Sequence, residues 1–222
     1  MECYTPLFVD AAGKTCCVIG GGRVAERKVR GLLNTGAKIK VISPDATPEL
    51  KQLHQDSRIE WMARAYRNGD LRGAFLVYAA TDREDVNLSV VKEAMAENIL
   101  VNDAMSSERS TFTTPSVVRR GRMSIAISTA GAGPAAAAAI RATLEEQFGD
   151  EYETYIEFLH RMRKEVKARV PSPRKRAILL RSLTEMNLLE DIRSGQFKWW
   201  TEEEIGSWIS RNSGGDVEHE NH

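Results

Sequence analysis

The chain has 222 residues, 31 basic and 31 acidic side chains, and a composition that is 42% hydrophobic and 28% charged. That length holds one large domain or two smaller ones, and the balance excludes disordered, collagenous and coiled-coil classes. With a formal net charge of zero there is no electrostatic case for a nucleic-acid partner.

Met1 to Asp10 has neither a basic flank nor a long apolar run. No stretch approaches the roughly 18 uninterrupted apolar residues of a membrane span, so no membrane partner and a cytoplasmic location are expected. Cys3 stands alone, and Cys16 and Cys17 adjoin within an apolar run, where strand geometry points them to opposite faces. They read as reduced thiols. His54, His160, His219 and His222 show no ligand spacing with each other or with the cysteines, so no built-in metal site is expected.

Residues 14 to 102 alternate short apolar runs with helical stretches, which predicts a parallel sheet covered on both faces. The predicted strands run Thr15 to Ile19, Ile39 to Ser43, Ile59 to Met62, Phe75 to Ala79 and Ile99 to Asn102. Between them, Val24 to Leu33 carries apolar residues at helical spacing and stops at Thr35-Gly36. Pro48 opens a short helix, and Glu84 to Asn98 forms another with Val86, Val90, Val91, Ala94 and Met95 on one face.

The pattern changes after Ser110. Thr111 to Val118 and Met123 to Ser128 read as strands around Arg119-Arg120-Gly121-Arg122, and Gly133-Pro134 starts an alanine-rich helix reaching about Phe148. The alanines from Ala135 to Ala139 leave little side chain to fill a core, and suit close approach of a helix from a second subunit. Tyr152 to Val170, Arg174 to Met186 and Glu202 to Ser210 are predicted helices, and the polar run from Asn212 to His222 is expected to be disordered. The expected layout is a Rossmann-type α/β domain at 1–112, a dimerisation segment at 113–149, a small all-helical domain at 150–211 and a tail at 212–222.

The Rossmann reading rests on Gly20, Gly22 and Ala25, a G-x-G-x-x-A turn that follows a predicted strand and opens a helix. The first glycine permits the tight turn, the second lets a pyrophosphate approach the backbone, and the alanine keeps the helix close to the sheet. Gly21, Arg23 and Val24 complete the phosphate-facing turn, where unpaired N–H groups and the helix dipole favour an anion. At the end of the second strand, where an acidic ribose ligand is common, stand Ser43, Pro44 and Asp45. No arginine directly follows to take a 2′-phosphate, which favours NAD. Thr81 and Asp82, after the fourth strand, are candidates for the nicotinamide side, or else cap the next helix.

The stretch Gly20-Gly-Gly-Arg-Val-Ala-Glu-Arg-Lys28 is more specific than a bare glycine turn. With Ala79-Ala-Thr-Asp82, Val101-Asn102, Phe112, Pro115-Ser116 and Ile125-Ala-Ile-Ser-Thr129, it resembles the precorrin-2 dehydrogenase / sirohydrochlorin ferrochelatase family, the N-terminal half of siroheme synthase. The resemblance implies a homodimer that oxidises the tetrapyrrole precorrin-2 to sirohydrochlorin with NAD, some members also inserting ferrous iron. Precorrin-2 carries eight carboxylates, so its site needs guanidinium groups. Arg109, Arg119 and Arg120 are the candidates, with Asn102, Ser128 and Thr129 beside them; Thr129 stands at the place of a family serine that can be phosphorylated.

The family's general base is an aspartate three residues after the asparagine matched by Asn102, and here that position is Met105. Asp103 is the nearest carboxylate that can replace it, with Glu108 more distant. Asp103 either serves as that base or only caps a turn, the base being absent. Two functional readings follow: an NAD-dependent precorrin-2 dehydrogenase, with or without chelatase activity, or a catalytically silent dimer that binds NAD or a tetrapyrrole.

Overall fold

The computed structural model describes residues 4–213, so Cys3, His219, His222 and the tail from residue 214 lie outside the described residues. The chain divides into two compact units between Thr114 and Pro115.

The first unit holds five parallel strands, β1 (Thr15–Ile19), β2 (Lys38–Ile42), β3 (Glu60–Met62), β4 (Leu76–Ala79) and β5 (Leu100–Asp103), in the order β3-β2-β1-β4-β5. Helices α1 (Arg23–Leu32), α2 (Pro48–Gln55) and α3 (Glu84–Ala96) connect them. Strand alternation sorts the core into two. Cys16, Val18 and Tyr78 pack on one face with Ala25, Val29 and Leu50 of α1 and α2, while Cys17, Ile19 and Val77 pack on the other with Val90, Val91 and Ala94 of α3. The adjacent cysteines therefore belong to opposite cores, and burial pushes the Cys17 thiol up to about 11.

Element ends follow local chemistry. Thr47 caps α2 by accepting the Leu50 N–H, with Pro48 in the first turn. α3 stops short of its expected end because Asn98 adopts the left-handed conformation, φ 55°. A long connection between β3 and β4 has no regular structure, yet it is held from within. The buried Glu93 carboxylate on α3 accepts the Gly69 N–H at 3.0 Å, the Leu71 N–H at 2.9 Å and the Tyr66 hydroxyl.

The second unit starts with an antiparallel hairpin, β6 (Ser116–Arg120) and β7 (Met123–Ile127). β6 begins later than its predicted start at Thr111. That residue bonds back to β5 instead, its N–H to Val101 O at 2.8 Å and its hydroxyl accepting the Val101 N–H at 2.8 Å. Helix α4 (Pro134–Gln147) follows, then α5 (Glu151–Arg169), α6 (Pro173–Thr184), α7 (Leu188–Arg193) and α8 (Glu202–Ser213). Phe158, Met162, Leu179, Leu183, Leu188, Ile205 and Trp208 form the core of this helical part. α8 extends through Ser213, beyond its expected end at Ser210, because Asn212 and Ser213 bond the Trp208 and Ile209 carbonyls of their own helix. α4 has no buried residue. Among the described residues no helix is long and apolar enough to cross a membrane.

Candidate dinucleotide and substrate site

The three glycines after β1 have three different reasons to be glycine. Gly20 has φ 120°, and a Cβ there would run into the Ala80 carbonyl; at Gly21 it would run into the Asp45 carbonyl. The loop is thus wedged between the ends of β4 and β2, with Gly20 N–H bonded to Ile42 O at 3.0 Å and Thr47 N–H to Gly21 O at 2.9 Å. Gly22 is different: it precedes α1 with φ −84°, and a Cβ would meet nothing within 4 Å. That open space lies over the first turn of α1, where Arg23 and Val24 are exposed, no side chain caps the helix and the first N–H groups are free of intrahelical partners. A pyrophosphate fits this cradle. Ala25 is fully buried under it, keeping α1 against the sheet.

Ser43 follows β2, its N–H bonded to Met62 O at 3.2 Å and its carbonyl to the Trp61 indole N–H at 3.1 Å. Pro44 and Asp45 are exposed. Lys51 at 2.7 Å, with the Ala46 N–H, holds the Asp45 carboxyl below the usual carboxylate range.

Thr81 is tied inward. Its hydroxyl lies 2.7 Å from the amide oxygen of the fully buried Asn87, which also accepts the Thr81 N–H at 3.2 Å and donates to the Thr81 carbonyl at 3.1 Å. The same hydroxyl accepts the Arg83 N–H at 3.2 Å, so Thr81 organises the entry to α3, while Asp82 is exposed. Asn87 has no counterpart among the sequence candidates; the faint signal is an amide six residues after a threonine that ends a strand.

Asn102 and Asp103 point to opposite sides of β5. Asn102 donates to Phe112 O at 3.0 Å and accepts from Lys28 Nζ at 3.0 Å. Lys28 also reaches the Thr114 hydroxyl at 3.1 Å and stands over the Tyr78 ring at 4.9 Å. Burial, with Arg27 nearby, lowers this ammonium to about 8.

On the other side, the Asp103 carboxylate has no exposed surface. One oxygen accepts the Met105 N–H at 2.9 Å, and the other lies 2.8 Å from Arg109 Nε, off the ideal N–H direction, so that contact is mainly coulombic. Arg109 then donates to Glu84 at the start of α3 at 3.0 Å. The two ion pairs differ in strength. Removing a partner from a buried pair costs on the order of 3–5 kcal/mol, whereas an exposed pair contributes about 0–1 kcal/mol. The Glu84 side chain is 63% exposed, so its hold on Arg109 is the weaker one. Met105 itself is exposed.

The first unit thus gathers Gly20, Gly21, Gly22, Ser43, Thr81, Asp103 and Arg109 along the carboxyl edge of its sheet. The second unit carries the other candidates. Arg119 is exposed, whereas Arg120 is folded back, bonding the Arg119 carbonyl at 2.9 Å and the Glu145 carbonyl at 3.2 Å. Ser128 is exposed and Thr129 half-buried in the glycine-rich turn after β7.

A parallel sheet in the order 3-2-1-4-5, with a glycine turn between its central strand and the following helix, defines a Rossmann dinucleotide-binding protein. Residues 7–116 match the family model described as putative NAD(P)-binding, and residues 120–147 match sirohaem biosynthesis protein central. The chain is 38% identical over 169 residues to siroheme synthase 3 of Aeromonas hydrophila, covering 76% of this chain and 36% of that protein. It is 35% identical over 191 residues to the siroheme synthase of Methylobacillus flagellatus, covering 86% of this chain and 41% of that one. The chain is thus similar to siroheme synthases along most of its own length, and spans about two fifths of the length of these curated relatives. A solved structure titled "SirC, precorrin-2 dehydrogenase" shares the fold, with a TM-score of 0.76 at 24% identity over 94% of this chain and 98% of that one.

Proposed function

We propose that this chain is an NAD-dependent dehydrogenase that oxidises precorrin-2 to sirohydrochlorin in the cytoplasm. The observation that carries the reading is the open cradle at Gly22: a dinucleotide site kept clear of side chains, in a chain whose relatives are siroheme synthases. Gly20, Gly21 and Gly22 shape that turn, and the N–H groups of Arg23 and Val24 receive the pyrophosphate. Ser43 and Pro44 flank the adenosine ribose, with the exposed Asp45 carboxylate disfavouring the 2′-phosphate of NADP. Thr81 and Asp82 border the nicotinamide, which when bound accepts the hydride.

The oxidation also releases a proton. In its present contacts Asp103 is paired at both oxygens, an arrangement that suits holding Arg109 better than receiving that proton. We assign the proton to water or to the substrate's own carboxylates. Arg109, Arg119 and Arg120, with Asn102, Ser128 and Thr129, are the proposed substrate contacts, and the uncovered α4 is the proposed interface of a homodimer.

The test is absorbance. Purified protein given precorrin-2 and NAD should produce the sirohydrochlorin spectrum, and added ferrous iron shows in the same cuvette whether siroheme forms. The exposed Met105, where the family carries its base, favours a silent binding module as the second reading. That reading prevails if NAD binds and no spectrum develops.

A further inference from the structure

Arg109 is held by two carboxylates of unequal burial, and the inequality has a functional reading. Its Nε faces Asp103, which is sealed from solvent and fixed at its other oxygen by the Met105 N–H. Its terminal nitrogen faces Glu84, which stands mostly in water. A guanidinium bound to a buried carboxylate along one edge is pre-oriented, and its outer edge can take a second carboxylate. The neighbouring Arg83 does not compete for Glu84 in this arrangement, because it is forked onto Asp85 at 2.6 and 3.2 Å.

We propose that Arg109 receives one carboxylate of the substrate, that Asp103 is the positioning residue that aims it, and that Glu84 occupies the carboxylate's place until substrate displaces it. The proposal rests on the reading that the ligand is a tetrapyrrole polycarboxylate. Displacement exchanges one carboxylate for another on the same guanidinium, so no net charge is buried. The contact that yields is the exposed one; the buried pair stays intact. Glu84 then sets a threshold that a polyanion holding other contacts in the site can overcome and a lone small carboxylate cannot.

Steady-state kinetics with precorrin-2 and calorimetry with sirohydrochlorin test this together. Glu84→Gln removes the competing charge and keeps the shape, so it should lower KM for precorrin-2 and Kd for sirohydrochlorin about twofold to fivefold. Arg109→Met should raise both at least tenfold with NAD affinity unchanged, which also shows that the variant folds. Combined with Arg109→Met, Glu84→Gln should do nothing, because no guanidinium remains to compete for. Asp103→Asn should raise KM while Asp103→Glu recovers part of the loss. A base would show a different signature, a kcat loss of about 10²- to 10⁴-fold.

The proposal is overturned by an unchanged KM and Kd in Glu84→Gln, by the same gain in both backgrounds, or by a kcat-only loss in Asp103→Asn. If the wild type binds sirohydrochlorin without turning over precorrin-2, the dehydrogenase reading fails and the binding cycle still decides the role of Arg109. If it binds no sirohydrochlorin at all, both fall.

Discussion

Two helices of this molecule, α1 and α4, begin just after glycines with positive φ, at Gly20 in one case and at Gly131 and Gly133 in the other, and then diverge. α1 buries Ala25, Val29 and Leu32 within its own unit. α4 is four residues longer and buries none, leaving Ile140 44% exposed. The local start signal is shared; the source of stability is not. α1 persists because an apolar face is buried, whereas α4 rests on the β6–β7 hairpin without burying a residue and leans more on the intrinsic propensity of alanine, which in a helix of 14 residues is marginal by itself. A chain that spends five consecutive alanines on a helix with no buried residue leaves room for a closely approaching surface, and this underlies the proposed dimer.

The contrast can be broken at either helix. The largest effect belongs to Gly20→Val, which forces a side chain into positive φ and against the Ala80 carbonyl; a loss of roughly 3 kcal/mol or more is expected in urea unfolding. Next comes Ile140→Asp on α4. If a second copy covers this face, burying a charge there should cost about 2 kcal/mol or more and shift sedimentation toward monomer. An uncovered helix would tolerate the change within about 0.5 kcal/mol, and an unaltered dimer would remove α4 from the interface.

Gly22→Val should leave the unfolding midpoint in place, since its Cβ meets nothing, and weaken NAD binding more than tenfold, over about 1.4 kcal/mol. Unchanged NAD affinity in calorimetry would make the turn purely structural. The smallest effect lies deeper on α1. The Lys28 ammonium is lowered to about 8, below its unfolded value, so the folded state opposes charging it. That penalty is present in full below about pH 8 and is relieved as the pH rises toward about 10.4, where the unfolded chain also gives up the proton. Wild-type stability should therefore rise across that window relative to Lys28→Met, by ~1 kcal/mol given partial solvent screening. Parallel pH curves for the two proteins would show that the ammonium is not desolvated.

The five strands and the major helices were legible in the sequence because period and punctuation agree: β1 runs Thr15–Ile19 as predicted, and the other strands shift by about one residue. α7 was not, because six residues are too few to show a helical period, and Leu188 earns its place only by entering a core built from distant segments. The late start of β6 was equally hidden, since the Thr111 bond to Val101 is a tertiary contact. At the candidate site the glycine turn stands out in the sequence because Gly20 and Gly21 answer backbone demands, while Gly22 leaves open space over the helix start. The partners of Asp103 do not. Spacing put Asp103 on the loop after the fifth strand, whereas it is the last residue of β5, and its partner Arg109, six residues on, and Glu84, on another element, become visible only once the chain folds.

The Glu93 carboxylate on α3 has a consequence for hydrogen exchange. The connection it holds has no ladder of its own, and by secondary structure alone its amides would exchange as freely as any surface loop. Instead the Gly69 and Leu71 protons are owned by a buried side chain on a helix in the middle of the unit. They are released only when α3 parts from the sheet, so these two loop amides should keep the clock of the helix rather than that of their neighbours.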